Sequence, residues 1–181
     1  MTADETDCYI PDSFQQDKRR HKLGSAVHFS KTYHFRIAGE RVTLYKKDGE
    51  SYEHVLMKAL GYAMFQPQFP HLEIERRIGL RYKPDLVAIN GLGKPEFWGE
   101  CGQVGLRKIA WIAKHSGTRH LTIFKFDIIT NHFIAQIRQE VEPRYRPPQR
   151  IRLFNFDSIV LKEAGEEFDE IPAHWYESFE I

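Results

Sequence analysis

Two acidic residues frame the stretch KPDLVAINGLGKPEFWGECGQ, Lys83 to Gln103. Asp85 stands just before one apolar run and Glu100 just after a second, with Gly91 and Gly93 between the runs. Strand alternation puts Glu96, Trp98, Glu100 and Gly102 on one face and Phe97, Gly99, Cys101 and Gln103 on the other. If DLVAIN and PEFWGEC pair as a hairpin, the two carboxylates come to the same end of adjacent strands. Two close carboxylates repel, and Mg²⁺ or Mn²⁺ between them relieves the repulsion. Such a cation lowers the pKa of a bound water and neutralises charge on a phosphate, which is the chemistry of phosphodiester hydrolysis. The same two acids could equally be ordinary charges at a sheet edge.

The elements around this stretch decide whether the acids can meet. VHFSKTYHFRI and RVTLYKK, separated by Ala38–Glu40, are rich in β-branched and aromatic residues and read as a β-hairpin. In SYEHVLMKALGYAMF, Tyr52, Val55, Leu56, Ala59, Leu60 and Ala63 recur with helical period, and Ser51 is a suitable N-cap. Glu53 falls at the border of that apolar stripe, where a carboxylate can reach over the edge of a sheet packed below. It also reads as an exposed first-turn residue favoured by the helix dipole. QPQFP, Gln66 to Pro70, breaks the helix, and LEIERRIGLRY, DLVAIN and PEFWGEC read as three strands. GLRKIAWIAKHSG is a second helix with Gly117 as its stop, and HLTIFKF is a buried strand. The strands flanking that helix are expected to be parallel by a crossover connection, the earlier ones antiparallel.

Further on, HFIAQIRQEVE reads as a helix, Glu142–Arg150 as a Pro- and Arg-rich loop, and RIRLFNF as an extra strand. The acidic, aromatic end EEFDEIPAHWYESFEI takes no clear place. The expected fold class is α/β: a mixed central sheet flanked by helices, in the order helix-strand-strand-strand-helix-strand, with an added N-terminal hairpin. Residues 1–24, polar and ending in the basic cluster Lys18–Gly24, read as a flexible tail ahead of a single domain over 25–181.

The composition is that of a soluble protein, with 41% hydrophobic and 28% charged residues among 181 and two cysteines, Cys8 and Cys101, too few for a disulfide framework. No run is long and apolar enough to span a membrane, and the acidic start MTADETDCYI is unlike a secretory signal, so a cytoplasmic protein is expected. The net charge of +1 is unevenly spread. His71–Lys125 holds ten Lys/Arg against five Asp/Glu, while Asp157–Ile181 holds eight acids and one lysine. A basic surround suits a polyanion held beside a metal, and equally a solvated surface of mixed charge.

Pro84-Asp85, an apolar strand, a turn, a second strand and Glu100 form a pattern that resembles the PD-(D/E)XK nuclease superfamily, whose restriction-endonuclease-like core has the element order above. The likeness extends from Thr32 to Lys125 and is greatest to the YaeQ-like branch: Glu53 on a helix, Pro84-Asp85-Leu86, Glu100-Cys101-Gly102-Gln103, and Arg107-Lys108. The resemblance implies a Mg²⁺- or Mn²⁺-dependent nuclease acting on DNA or RNA. Asp85 and Glu100 would ligate the metal, and Glu53 would be an accessory ligand or orient a water. The superfamily lysine, two residues after the second acid, is replaced here by Gly102. Gln103, brought over by a bulge, or Lys108, reaching back from the next helix, could stand in. In the bland reading Gln103 ties strand to helix and Lys108 is a surface residue. The glycine also keeps open a second reading: a catalytically inactive nucleic-acid-binding or protein-interaction module on the same fold.

Other residues carry less. Nine histidines lack zinc spacing, and Cys101 reads as a small buried residue. Gly91, Gly93 and Gly105 form no phosphate loop. Trp98 and Trp111 are expected in the core. Arg76, Arg77, Arg81, Lys83 and Arg107 are candidates for a phosphate-facing surface.

Overall fold

The computed structural model describes residues 29–168 and 170–181, so the expected tail and its basic cluster lie outside the described residues. The described residues open with the hairpin expected from its β-branched runs: β1 (Phe29–Ile37) and β2 (Glu40–Lys47) pair antiparallel, closed at Ile37↔Glu40. Ala38 and Gly39 both take positive φ there, which matches a two-residue turn to the strand twist. Helix α1 (Tyr52–Phe65) follows, and the Ser51 hydroxyl accepts from the His54 N–H as an N-cap. Gly61 lets α1 lie close on the sheet, since a Cβ there would stand 2.7 Å from Leu86 Cδ1 and 2.9 Å from the Phe124 ring.

Next come β3 (Leu72–Ile74), β4 (Leu86–Ile89), β5 (Pro95–Cys101), α2 (Leu106–His115) and β6 (His120–Phe126). With α1 these give the expected helix-strand-strand-strand-helix-strand order. β4 and β5 pair antiparallel and β5 and β6 parallel, as the lengths of their connections require. The strand expected over LEIERRIGLRY is cut to three residues. It ends where Glu75 takes a positive φ of 54°, with its carboxylate engaged by Lys47, Lys58 and Lys83.

The C-terminal third adds α3 (Thr130–Glu140), β7 (Ile151–Phe156), α4 (Val160–Glu163), β8 (Glu167–Phe168) and β9 (Tyr176–Glu180). The expected mixed central sheet has six strands in the order β3-β4-β5-β6-β7-β9, and the added hairpin joins β8 in a second sheet, β2-β1-β8. The acidic end, unplaced by its composition, supplies strands to both. β8 lies parallel to β1, where Phe168 stacks on Phe35, and β9 completes the main sheet beside β7.

Alternation along the strands separates two cores. Phe97, Cys101, Phe124, Phe154 and Phe156 face α1 and the hairpin. Trp98, Leu121, Ile123, Ile151 and Leu153 face α2 and α3. A side chain near the end of β5 therefore belongs to one helix layer or the other, and this sorts the candidate residues. Among the described residues no helix is long and apolar enough to cross a membrane.

Candidate functional site at the ends of strands β4 and β5

Asp85 precedes β4, and Leu86↔Gly99 pairing carries it to the end of the sheet where β5 finishes. Its backbone N–H donates to Gly99 O, and the Cys101 N–H donates to its Oδ2 at 2.8 Å. The carboxylate is thus tied to the strand that bears Glu100. Glu100 points to the α2 side and is 1% exposed. The Trp98 indole N–H donates to its Oε1 at 2.8 Å, and Lys108 Nζ donates to its Oε2 at 2.5 Å. Trp98 is buried as expected, and its N–H orients the acid.

The two carboxylates sense each other. Burial, with the charge of Asp85, raises the Glu100 pKa to about 6, against the pull of Lys108 and Trp98. Burial acts on Asp85 in the same direction but is outweighed by His54, the Cys101 N–H and Lys108, so its carboxyl is held below the usual value. The pair therefore has one firmly ionised member and one that titrates near neutrality.

Lys108 reaches this pair although the helical wheel turns it away from the Leu106/Ile109/Ala113 face. The cause is the second covered side of α2, where Ile112 is fully buried. Lys108 leaves along the seam between helix and sheet, with Nζ 5.6 Å from the Tyr82 ring centroid. Gln103 is exposed and Glu53 half-exposed, and both line a cavity of about 530 Å³ together with Glu50, His54, Lys125 and Phe126. Glu53 is held by the Ser51 hydroxyl, which lowers its pKa. It sits in the α1 layer, whereas Glu100 faces α2, so the helix residue that meets Asp85 is another one. His54 Nε2 lies 3.5 Å from Asp85 Oδ1 and 3.3 Å from Glu50 Oε1.

Gly102 has φ +69°, and a Cβ there would lie 2.8 Å from His54 Nδ1. The imidazole stands where the side chain of residue 102 would go. On the neighbouring strand, Lys125 is 8% exposed and Nζ donates to Gly102 O at 2.6 Å. Burial lowers its pKa, against the attraction of Glu100.

No family model and no curated protein sequence matches the chain. Solved structures do match. The YaeQ protein of Xanthomonas axonopodis pv. citri aligns with a TM-score of 0.56 at 17% identity, over 83% of this chain and 94% of that one. The YaeQ protein of Pseudomonas syringae aligns with a TM-score of 0.57 at 15% identity, over 82% and 92%. The fold is YaeQ-like. At such identities the likeness concerns the fold, and the chemistry of this YaeQ-like chain rests on its own side chains.

Glu50, His54 and Lys58 were missed as site residues, although their signal was present. They recur at i, i+4, i+8 across the start of α1, a polar stripe beside the apolar one. Lys58 is 1% exposed and is held by Glu50 Oε1 at 2.6 Å and Glu75 Oε1 at 2.7 Å. Burial opposes its charge, but these two carboxylates outweigh it and raise its pKa. Of the five basic residues proposed for a phosphate-facing surface, Arg76 is paired with Glu73 and Lys83 with Glu75, while Arg77, Arg81 and Arg107 are exposed. Cys101 is buried, which pushes its thiol pKa well up and suits the structural role expected of it.

Among the described residues no three His, Cys, Asp or Glu side chains are gathered as a ready metal cage. Asp85 and Glu100 offer hard carboxylate oxygens from adjacent strand ends, and the charge of Asp85 adds to burial in raising the Glu100 pKa, a repulsion that a divalent cation would relieve. Asp85 and Glu100 would hold such an ion, once Lys108 released Glu100 Oε2.

Proposed function

We propose that this protein hydrolyses phosphodiester bonds of nucleic acid, DNA or RNA, at the Asp85–Glu100 pair with Mg²⁺ or Mn²⁺. The observation that carries the reading is that Asp85, tied to the Cys101 N–H, and Glu100 stand at adjacent strand ends within reach of each other's charge, with Lys108 on Glu100. Asp85 and Glu100 would hold the cation. When bound, it would supply a more acidic water and neutralise phosphate charge. The chain's own part is orientation. The Cys101 N–H fixes Asp85, the Trp98 N–H fixes Glu100, and Lys108 brings a cation that can turn from Glu100 to a phosphate oxygen.

The test is incubation of single- and double-stranded DNA and RNA with Mg²⁺ or Mn²⁺, for the wild type, Asp85→Asn and Glu100→Gln. The wild type is expected to cleave and both variants to lose cleavage by about a hundredfold or more. Cleavage that survives both substitutions rejects the site. One observation favours a second reading: Glu100 is almost fully buried and held by two donors, while Gly102 stands at the lysine position. In that reading the chain binds nucleic acid or a protein without cutting, and binding without metal-dependent cleavage under all these conditions supports it.

A further inference from the structure

Lys125 is a buried cation for which no role has been described above. Its Nζ is held by one carbonyl, Gly102 O, and lies 4.7 Å from the Phe133 ring centroid. Among the described residues it forms no ion pair with a carboxylate. It lines the 530 Å³ cavity, which opens at the C-terminal ends of the parallel strands β5 and β6. In open α/β sheets that is where ligands bind. Glu100 attracts it without pairing with it, and a buried ammonium with no direct counter-ion is costly unless an anion completes its shell.

The register makes the position specific. Glu100 pairs with Ile123 and Cys101 with Phe124, so a continued ladder would set residue 102 beside residue 125. Partners in a parallel ladder point to the same face. Lys125 therefore stands on the face of Glu100, two residues further along, one strand away from the position that Gly102 leaves without a side chain. A side chain at 102 is obstructed by His54 and by a positive φ.

We propose that Lys125 is a second cation, besides Lys108, that contacts the substrate phosphate, its ammonium supplied from the neighbouring strand into the cavity bordered by His54 and Gln103. The inference rests on the phosphodiester reading of the ligand but not on hydrolysis. Its test is binding of inorganic phosphate and of a 5′-phosphorylated thymidine dinucleotide to the full chain in EDTA, by calorimetry. Lys125→Met is expected to weaken dinucleotide binding by about tenfold or more, and Lys125→Arg to restore most of it. Binding to Lys125→Met at wild-type affinity, or no binding of either probe by the wild type, overturns the proposal. Should Lys125→Met fail to fold, ammonium-detected NMR of the wild type decides: the Lys125 Nζ resonance must shift on titration with the dinucleotide, and an unmoved resonance overturns it. Lys125-dependent binding without metal-dependent cleavage leaves this inference standing and removes the hydrolytic one. Wild-type cleavage by Lys125→Met does the reverse.

Discussion

The His54 imidazole occupies the space into which a side chain at Gly102 would project, with Nδ1 2.8 Å from the place a Cβ would take. The same ring directs Nε2 at Glu50 and Asp85. A glycine at 102 and a histidine at 54 are thus two halves of one arrangement. A side chain at 102 therefore requires the His54 ring to move.

Gly102→Ala should destabilise the fold by about 2 kcal/mol, from the positive φ and from the contact with His54. In a His54→Ala background the contact disappears and the backbone cost remains. A double-mutant cycle in urea should therefore return a coupling energy of about 1 kcal/mol. Additivity of the two substitutions would refute the steric account.

Metal binding should follow the protonation of Glu100. A cation needs the carboxylate, and the Glu100 pKa is raised to about 6. Mn²⁺ affinity should climb about tenfold per pH unit below that value and level off above it. Calorimetric titrations across that range measure it directly, and a midpoint near the ordinary glutamate value would contradict the burial argument.

The same shift has a stability consequence. Between 4.5, the ordinary value, and about 6, folded Glu100 keeps a proton that the unfolded chain releases. The stability it contributes is full below that window and lost as pH rises through about 6. Relative to wild type, Glu100→Gln should gain about 1–2 kcal/mol as pH rises through the window, read from denaturation midpoints.

Lys108 lowers the pKa of Glu100. Removing it in Lys108→Met should move the pH midpoint of Mn²⁺ binding upward by about one unit. A midpoint that stays in place would return Lys108 to the role of a surface lysine.

Lys58 is a stability element. Lys58→Ala leaves Glu50 and Glu75 without their shared buried cation and should cost about 3 kcal/mol. Glu75, held well below the usual glutamate range by three lysines against the effect of burial, contributes stability above its unfolded value that is lost as pH falls. Acid titration of Glu75→Gln should show a shallower loss than wild type.

The hairpin, the Ser51-capped helix, the antiparallel β4–β5 pair and the β5–α2–β6 crossover were all legible, because each rests on local period, capping or connection length. β4–β5 pairing was enough to bring Asp85 and Glu100 to one end of the sheet. The short β3 was not legible, since it ends at a positive φ on Glu75, whose three lysine partners are spread along the chain. Nor were β8 and β9, whose partners β1 and β7 lie elsewhere in the chain.

Sequence alone determined which residues alternate, which helix caps itself and which two acids end on neighbouring strands, because such relations act over a few residues. Tertiary structure decided which helix layer each strand face meets. That put Lys108 and Lys125 on the Glu100 face, and it left Glu53 in the α1 layer while His54 reached Asp85. The reason is that helical and strand periods define faces, whereas packing against a particular partner is what gives a face its neighbours.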